Sequence, residues 1–326
     1  MPSMRLLMTA GEAVKRNNIA AYNCFSGDTS FMTNTGNKTF AATVNTTQKV
    51  LASDGVWRTA EVRSFGVQQT QMVHFRPGNT SRTQLRHIVQ VTPDHRWITS
   101  NRGEVTDLRV GDTVRFNAPQ EPAFNAIEFI RGFGFGDGTL TSRGTAQIRL
   151  CGDKAKHLNT FMAYGYNSVS YPPSSNGDPT VHFHKGHFED WKDVPMFPSY
   201  WWLRGLQAAD GTLNSQVECL DSQDNQAVEY VLENSAYAGK AITGHFVVGN
   251  TTTNYGQRSA PLQRVSLRDT VEFRVVAIEE ADAQEVFCAT EPVTGTFTLS
   301  GGILTGNCHY GAIDKVRKFS DMLLIL

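Results

Sequence analysis

The sequence has few of the features that cross-link a small domain or hold a chain in a membrane. Its 326 residues contain five cysteines at scattered positions and no CxxC pair, which argues against a disulfide framework and against a zinc site. No uninterrupted apolar run approaches the roughly 20 residues that a transmembrane helix needs. The first residues include charged side chains and lack the apolar centre of a signal peptide. We therefore expect a protein of the reducing cytoplasm with no membrane partner.

The sequence also has no excess of positive or of negative charge. Lysine and arginine number 30 against 31 aspartates and glutamates, so the formal net charge is −1, and 40% of the residues are hydrophobic. This composition is typical of a globular protein, and the length allows about one to three domains. A neutral total neither requires nor excludes a nucleic-acid partner, because a local basic face can be hidden in it.

Two motifs near the ends of the chain carry reactive side chains. The first begins Cys24-Phe-Ser-Gly-Asp, and the second reads Gly-Ile-Leu-Thr-Gly-Asn307-Cys308. A thiol can attack the carbonyl of the peptide bond before it, and an asparagine amide can attack its own backbone carbonyl and break the bond that follows. The two motifs therefore delimit a segment, 24–307, that can detach from the flanks 1–23 and 308–326.

Further motifs lie between these two ends. Val-Thr92-Pro-Asp-His95 has the form Thr-x-x-His, and Glu-Val-Phe-Cys288 precedes the final motif. In this order and spacing the motifs resemble those of inteins, the protein-splicing domains. Each motif alone arises often by chance, whereas the conjunction is specific. The resemblance implies an all-β, horseshoe-like splicing (Hint) domain that performs autocatalytic cleavage, acts on its own flanking (extein) segments, and needs no cofactor.

The resemblance also implies a role for each reactive residue. The thiol of Cys24 attacks the carbonyl of Asn23 and converts the peptide bond to a thioester. Cys308 then accepts the acyl group. Asn307 cyclises to a succinimide, which releases the segment 24–307 and leaves the two flanks joined.

Thr92 and His95 are expected beside the upstream junction, where His95 can protonate the leaving nitrogen and hydrogen-bond donors can stabilise the developing oxyanion. The downstream junction departs from the family pattern. Most inteins have a histidine before the terminal asparagine and often another about ten residues earlier, but these positions are Gly306 and Gly295 here. Cyclisation of Asn307 is therefore expected to be slow or to rely on another group.

A second departure concerns the first nucleophile. Trp97, Cys288 and Thr305 stand at the positions that form the signature of class 3 inteins, in which the internal cysteine attacks the upstream junction directly. Inteins of that class usually lack a nucleophile at their first residue, yet Cys24 is present. The sequence leaves open whether Cys24 or Cys288 acts first, and a purely structural role for Cys288 and Trp97 is the alternative.

The chain between the splicing motifs changes character twice. Short strand patterns with frequent turns, such as the hairpin predicted at Asp54-Gly55, occupy residues 24–122 and return over 263–307. Residues 123–262 have an α+β pattern instead. We predict a mixed fold in which the all-β splicing domain is split by an α+β insert.

The predicted insert contains an internal repeat. A helical pattern ends in Asp137-Gly-Thr-Leu and another in Asp210-Gly-Thr-Leu, and each is followed by a strand pattern and a helix-like run, at 154–164 and at 225–236. A repeated unit of this kind predicts pseudo-twofold architecture.

These repeats resemble the LAGLIDADG homing endonucleases, which inteins commonly carry. The resemblance covers the insert and implies that Gly132 and Gly205 let two helices pack closely, while Asp137 and Asp210 bind Mg²⁺. The implied activity is that of a hydrolase cutting both strands of a specific DNA homing site, by a monomer. The alternatives are a decayed insert that no longer cleaves DNA, and simple helix termination by each Asp-Gly pair.

Polar residues on the strands of the insert are candidates for contacts to double-stranded DNA in the major groove. The candidates are Arg143, Gln147, Arg149, His182, His184, Lys185, His187, Gln216 and Arg258.

The flanks carry a separate resemblance. Met-Arg-Leu-Leu-Met-Thr-Ala-Gly11, Asn18-Ile-Ala-Ala-Tyr-Asn23 and Cys308-His-Tyr resemble adenosylcobalamin-dependent (class II) ribonucleotide reductases, in which Cys308 would be a redox-active cysteine. The likeness implies a fragment of a host enzyme from a bacterium or a phage-infected cell. Two other readings stay open: a nuclease whose β part no longer splices, and a reductase subunit with an accessory insertion.

Overall fold

The computed structural model describes residues 24–78, 85–141, 143–173, 176–186, 191–214, 217–248, 252–253, 256–257, 261–269 and 271–307. They divide into two compact units. The β unit comprises 24–78, 86–117 and 271–307, and the α+β unit comprises the described residues from 118 to 269 together with Leu85. In these ranges no helix combines the length and the apolar composition needed to span a membrane. The flanks 1–23 and 308–326, and with them Cys308, lie outside the described residues.

The β unit is built from antiparallel strands. They are β1 (Phe25–Ser26), β2 (Ser30–Thr33), β3 (Gly36–Thr39), β4 (Thr47–Leu51), β5 (Trp57–Pro77), β6 (His87–Val91), β7 (Trp97–Thr99), β8 (Gly103–Val105), β9 (Thr113–Arg115), β20 (Glu272–Thr290), β21 (Thr296–Leu299) and β22 (Ile303–Gly306), with a short helix α1 (Phe40–Thr43).

Among the described residues these strands form one 12-stranded sheet in the order β21-β22-β7-β9-β20-β1-β6-β5-β4-β2-β3, with β8 paired to β7. Further pairings of β21 with β2 and of β20 with β5 fold the sheet back on itself. The two long strands β5 and β20 pair along most of their lengths, with three register shifts that bend them. The sheet therefore brings β2, near the start of the unit, against β21, near its end.

Aromatic side chains fill the interior of the β unit. The Phe25 ring stacks on Phe40 at a centroid distance of 5.5 Å and meets Phe297 edge-on at 5.8 Å. Trp97 is fully buried and lies 6.1 Å from Phe25. Such pairs contribute about 0.5–1.5 kcal/mol each beyond their buried area. The core thus fixes the backbone of β1, which directly follows Cys24.

The hairpin predicted at Asp54-Gly55 is present. β4 and β5 are in antiparallel register from Leu51 opposite Trp57, and Gly55 adopts φ +74°. The Asp54 carboxylate accepts a hydrogen bond from the backbone N–H of Val56 at 3.2 Å, which fixes the turn.

The α+β unit consists of two halves with matching elements. The first half contains α2 (Ala126–Asp137), β10 (Gly138–Leu140), β11 (Ala146–Arg149), a 3₁₀ helix (Gly152–His157), α3 (Leu158–Met162), β12 (Tyr166–Ser170) and β13 (Thr180–Phe183). The second contains α4 (Tyr200–Asp210), β14 (Gly211–Asn214), β15 (Val217–Ser222), α5 (Asn225–Asn234), a 3₁₀ helix (Ser235–Ala238), β16 (Ala241–Val248), the short pair β17 (Thr252–Thr253) and β18 (Gly256–Gln257), and β19 (Leu262–Arg268).

Each half forms a four-stranded antiparallel sheet, β10-β11-β13-β12 in the first and β14-β15-β19-β16 in the second. The leading helices begin alike, since Asn125 and Ser199 accept hydrogen bonds from the backbone N–H groups of Glu128 and Trp202. The repeat noted in the sequence therefore corresponds to two halves with the same order of helix, hairpin and helix.

The predicted insert boundary at residue 262 differs from the division of the structure. β19 pairs with β15 over Gln263–Leu267 and with β16 over Leu262–Arg268. Its alternate residues Val265 and Leu267 are buried with Leu220 in the core of the α+β unit. The first residues of the predicted segment 263–307 thus belong to the α+β unit, because pairing rather than composition decides where the strand lies.

Candidate functional site

The residues at the two ends of the segment 24–307 are buried in the β unit. Cys24 directly precedes β1, and Asn307 directly follows β22. Both are within the interior, with exposed fractions of 0% and 3%. Reactive side chains held in this way are shielded from water and restricted to few orientations.

Thr92 holds the backbone of Cys24 by two hydrogen bonds. The Cys24 N–H donates to Thr92 Oγ1 at 3.2 Å, and the Thr92 N–H donates to the Cys24 carbonyl at 2.9 Å. The donor in the first bond is the nitrogen of the Asn23–Cys24 peptide bond. The Thr-x-x-His motif is a tight turn in which the His95 N–H donates to the Thr92 carbonyl at 3.1 Å.

His95 connects this turn to the other end of the segment. Its Nε2 is 2.7 Å from Thr305 Oγ1, and the side chain is fully buried. The imidazole lies against two aromatic rings, 4.3 Å from Phe25 and 4.9 Å from Trp97 between centroids. The ring is therefore held in one orientation by packing as well as by the hydrogen bond.

The residues of the class 3 signature also come together. Thr305 and Trp97 are directly opposite in the pairing of β22 with β7. Cys288 lies on β20, where Phe287 is opposite Phe25, so the same register continued by one residue sets Cys288 opposite Cys24. Both cysteines belong to the one buried core cluster. The structure thus brings together the site residues predicted in the β unit, apart from Cys308.

Asn307 is held by groups that the sequence motifs do not identify. Its Nδ2 donates to the Glu291 carbonyl at 2.6 Å, and its backbone N–H donates to the Gly295 carbonyl at 2.9 Å. The Glu291 carboxylate accepts hydrogen bonds from the N–H groups of Val293, Thr294 and Gly295 at 2.7, 2.6 and 3.1 Å. Glu291 therefore shapes the turn that binds Asn307. An acidic residue before Pro-x-Thr-Gly is the local signal that could have indicated this turn.

Asp137 and Asp210 occupy equivalent places in the α+β unit, each at the last position of its helix. A Cβ added at Gly132 would lie 1.9 Å from the Trp202 carbonyl oxygen, and one at Gly205 would lie 2.0 Å from the Phe129 carbonyl oxygen. α2 and α4 therefore pack backbone against backbone, as the resemblance implied for the two glycines.

Burial and like charge act together on Asp210. Burial, and then the negative charge of Asp137, raise the pKa of the Asp210 carboxyl to about 6. Lys154 forms an ion pair with Asp137, and Lys192 Nζ donates to the Phe135 carbonyl at 2.7 Å. These two lysines were not predicted, because their sequence positions are far from both aspartates.

Two neighbouring carboxylates that repel each other fit a divalent cation, because the cation stabilises both ionised forms. The described residues include no group of three or more histidine, cysteine or acidic side chains placed to hold a metal ion. A divalent cation between Asp137 and Asp210 would need other oxygens to complete six ligands, and Lys154 is ion-paired with one of the two carboxylates.

Polar residues of the first sheet share one face. Ala146, Ile148 and Leu150 are buried, so the alternating residues Gln147 and Arg149 point to the opposite face. His182 is paired with Gln147 across β13 and β11. The candidates Arg143, His184 and Lys185 are exposed in adjoining turns, whereas His187, Gln216 and Arg258 lie outside the described residues.

No known family profile matches the chain, and no curated protein matches it. Among solved structures, the chain is similar to a variant of the Ssp DnaB mini-intein at 8% identity and TM-score 0.35, covering 88% of this chain and 95% of that one. Full-length WhiA from Thermatoga maritima is similar at 12% identity and TM-score 0.30, covering 48% of this chain and 54% of that one. The isolated N-terminal LAGLIDADG domain of WhiA is similar at 13% identity and TM-score 0.29, covering 48% of this chain and 80% of that one.

Proposed function

We propose that the chain is a self-splicing intein that excises residues 24–307 and ligates the flanks 1–23 and 308–326. The observation that carries the proposal is the position of His95. Its backbone is bonded to Thr92, which holds the nitrogen of the upstream junction, and its ring is bonded to Thr305, two residues before Asn307. One buried histidine therefore bonds through its backbone to Thr92 at the upstream junction and through its ring to Thr305 near the downstream junction.

In the first step the Cys24 thiol attacks the Asn23 carbonyl, a C–S bond forms, and the C–N bond to Cys24 breaks. The thiol proton leaves, and the departing nitrogen takes up a proton that His95 can supply. Thr92 accepts the hydrogen bond of that nitrogen and holds the junction in one orientation. The Cys308 thiol then takes the acyl group, and an S-to-N shift completes the new peptide bond once Asn307 has cyclised.

The competing first nucleophile is Cys288. It is next to Phe287, which is opposite Phe25, the residue after Cys24, and this placement supports the second route. In that case the Cys288 thiol attacks the Asn23 carbonyl and passes the acyl group to Cys308. Trp97 and Thr305, which pair across β7 and β22, would then shape the pocket around the transferred group.

Expression of the full chain and two cysteine variants tests the proposal. Mass spectrometry should find the excised segment 24–307 and the ligated flanks. Loss of both products in Cys24→Ala, but not in Cys288→Ala, assigns the first attack to Cys24, and the reverse result assigns it to Cys288. Cys219→Ala is the control, because this buried cysteine belongs to the α+β unit. An uncleaved wild-type chain would refute splicing.

We further propose that the α+β unit is a homing endonuclease that cuts double-stranded DNA with Mg²⁺. Support comes from the two carboxylates at the ends of closely packed helices and from the raised pKa of Asp210. A bound Mg²⁺ would supply an activated water and stabilise charge at the scissile phosphate. Asp137 and Asp210 would hold the ion, and the polar face containing Gln147 and Arg149 would contact DNA.

A plasmid encoding the joined flanks is the substrate for the test. The wild-type chain should linearise it with Mg²⁺, whereas the Asp137→Asn, Asp210→Asn double variant should not, although it still splices. Cleavage that survives the double substitution excludes these carboxylates. Absence of wild-type cleavage, with splicing intact, identifies the insert as a decayed nuclease.

A further inference from the structure

The guanidinium of Arg96 fills the space beside two glycines at the downstream junction. A Cβ added at Gly306 would lie 2.3 Å from Arg96 Nε, and a Cβ added at Gly295 would lie 3.3 Å from Arg96 Nη2. The Arg96 side chain is itself only 6% exposed. A histidine at residue 306 therefore cannot be accommodated while Arg96 keeps this position.

Arg96 also forms hydrogen bonds with the backbone of Gly295 and of Gly306, the two glycines beside Asn307. Its Nη2 donates to the Gly295 carbonyl at 2.5 Å, and that carbonyl accepts the Asn307 N–H at 2.9 Å. Its own carbonyl accepts the Gly306 N–H at 3.1 Å. The Arg96 backbone thus binds Gly306 directly, and the Arg96 side chain shares one acceptor, the Gly295 carbonyl, with the Asn307 nitrogen.

The carboxamide oxygen of Asn307 lies near the same side of Gly295 as the Arg96 guanidinium. The Cβ position at Gly295 is 3.6 Å from Asn307 Oδ1 and 3.3 Å from Arg96 Nη2, so the amide oxygen and the guanidinium flank one point. The amide nitrogen is fixed on the other side by the Glu291 carbonyl. A positive group on the oxygen side and an acceptor on the nitrogen side define the orientation of the attacking amide.

We propose that Arg96 is the positioning residue for Asn307 cyclisation, in the place that histidines at 306 and 295 would take. This inference rests on the proposed splicing function. In the step concerned, Nδ2 of Asn307 attacks the carbonyl carbon of the same residue, a C–N bond forms, and the bond to the Cys308 nitrogen breaks. One Nδ2 proton is lost and the departing amine gains one, so no other reactant is consumed.

The chemistry of arginine suits this task in one respect and limits it in another. A guanidinium keeps its charge throughout the neutral range and offers donors in a fixed planar fork, so it can orient the amide and favour the developing oxyanion. It cannot act as a proton donor there as an imidazolium does. Cyclisation governed by Arg96 should therefore lack the titration near pH 6.5 that a histidine would give.

The test isolates the downstream reaction in the full chain. With Cys24→Ala and Cys288→Ala together as the parent, neither thiol can begin splicing, and release of residues 308–326 reports cyclisation of Asn307. Adding Arg96→Ala should slow this release about 100-fold, the loss seen when one oxyanion donor is removed. Arg96→Lys should restore part of the rate. Arg109→Ala is the matched control, since this exposed arginine pairs with Asp107.

Replacing the Arg96 side chain by a histidine at residue 306 tests whether Arg96 positions Asn307 or only stabilises the fold. Gly306→His alone should reduce release, because the new side chain meets Arg96. Gly306→His combined with Arg96→Ala should release faster than Arg96→Ala alone, and its rate should acquire a pH dependence near 6.5. That rescue would not occur if Arg96→Ala had only unfolded the β unit.

The possible results separate the role of Arg96 from the splicing function on which that role depends. A parent that releases residues 308–326 only while Asn307 is present establishes the reaction. Equal release from the parent and from Arg96→Ala then overturns the role of Arg96 and leaves splicing standing. A wild-type chain that stays uncleaved, as Asn307→Ala should, overturns both.

Discussion

The Nε2 atom of His95 and the Oγ1 atom of Thr305 lie 2.7 Å apart, although 210 positions separate the two residues in sequence. The contact joins the turn that holds Cys24 to β22, the strand that directly precedes Asn307. Both groups are fully buried, so the hydrogen bond is not in competition with water.

Loss of this hydrogen bond should impair splicing. Thr305→Val keeps the shape of the side chain but removes the hydroxyl, so the imidazole loses the partner that orients it for proton transfer. We expect a splicing rate at least about tenfold lower, since a positioned acid–base group contributes about 10²–10⁴-fold. Time courses on gels measure the rate, and Thr305→Ser, which keeps the hydroxyl, is the control. A Val variant as fast as wild type would show that the hydroxyl has no part in the reaction.

Removal of the Glu291 carboxylate should weaken the β unit and slow release of the downstream flank. In Glu291→Ala, three backbone N–H groups lose their acceptor. These hydrogen bonds are only partly buried and Val293 is exposed, so water can replace part of the lost acceptor. We therefore expect the free energy of unfolding to fall by about 1.5–3 kcal/mol, the value of one hydrogen bond to a charged group.

Denaturant titration in an Asn307→Ala background measures this change on an intact chain. Glu285→Ala is the control, because Glu285 lies on β20 shortly before Glu291, is exposed, and has its carboxylate bonded to Ser64. Equal destabilisation by the two substitutions would contradict the role given to Glu291.

A methyl group at Gly132 should disrupt the α+β unit. The Cβ of Gly132→Ala would lie 1.9 Å from a backbone oxygen, which has no freedom to move away alone. Overpacking of this kind costs about 1–3 kcal/mol or more and would force α2 and α4 apart. Limited proteolysis and DNA cleavage report the effect. Ile127→Ala, at an exposed position of the same helix, should change little, and an undisturbed Gly132→Ala variant would argue against the close helix contact.

The raised pKa of Asp210 predicts a specific dependence of stability on pH. Since the folded-state pKa is about 6 and the ordinary value is 3.8, the unfolded chain loses this proton first as pH rises. The contribution of Asp210 to stability is therefore greatest below pH 4 and declines between about pH 4 and 6, by about 1–3 kcal/mol.

Asp210→Asn should lack this decline and should gain stability relative to wild type between pH 4 and pH 7. Denaturant titrations of both proteins at a series of pH values give the difference, and Asp193→Asn, at an exposed position, is the control. Added Mg²⁺ should reduce the decline in wild type, because a cation favours the ionised pair. Parallel stability curves for wild type and Asp210→Asn would contradict the shifted pKa.

Much of the fold follows from local patterns in the sequence. The Asp54-Gly55 turn, the two Asp-Gly-Thr-Leu passages and the helix Asn225–Asn234 are encoded by neighbouring residues, and each occurs where the pattern predicts it. The helix predicted over 154–164 is instead a 3₁₀ turn followed by Leu158–Met162, because Gly152 and Gly165 with positive φ bound a short segment.

The contacts that orient Asn307 were not predictable in this way. Glu291 and Arg96 act on the downstream junction through pairs far apart in sequence, and their residue types have many other uses. What the sequence does indicate is the need for such a group, since the glycines at 306 and 295 leave the expected histidine positions without side chains.

The strands that flank the α+β unit in sequence are neighbours in the β unit. Arg115 on β9 is opposite Glu272 on β20, and the Phe116 N–H donates to the Val271 carbonyl at 3.2 Å. The chain thus leaves and re-enters the β unit at adjacent points, as at the open end of a hairpin. A loop closed at such a point adds only a slowly growing entropic cost with length, and a turn of two to five residues can close the same pair. At the junction of β9 and β20 the β unit can therefore accept a different inserted domain or a short linker.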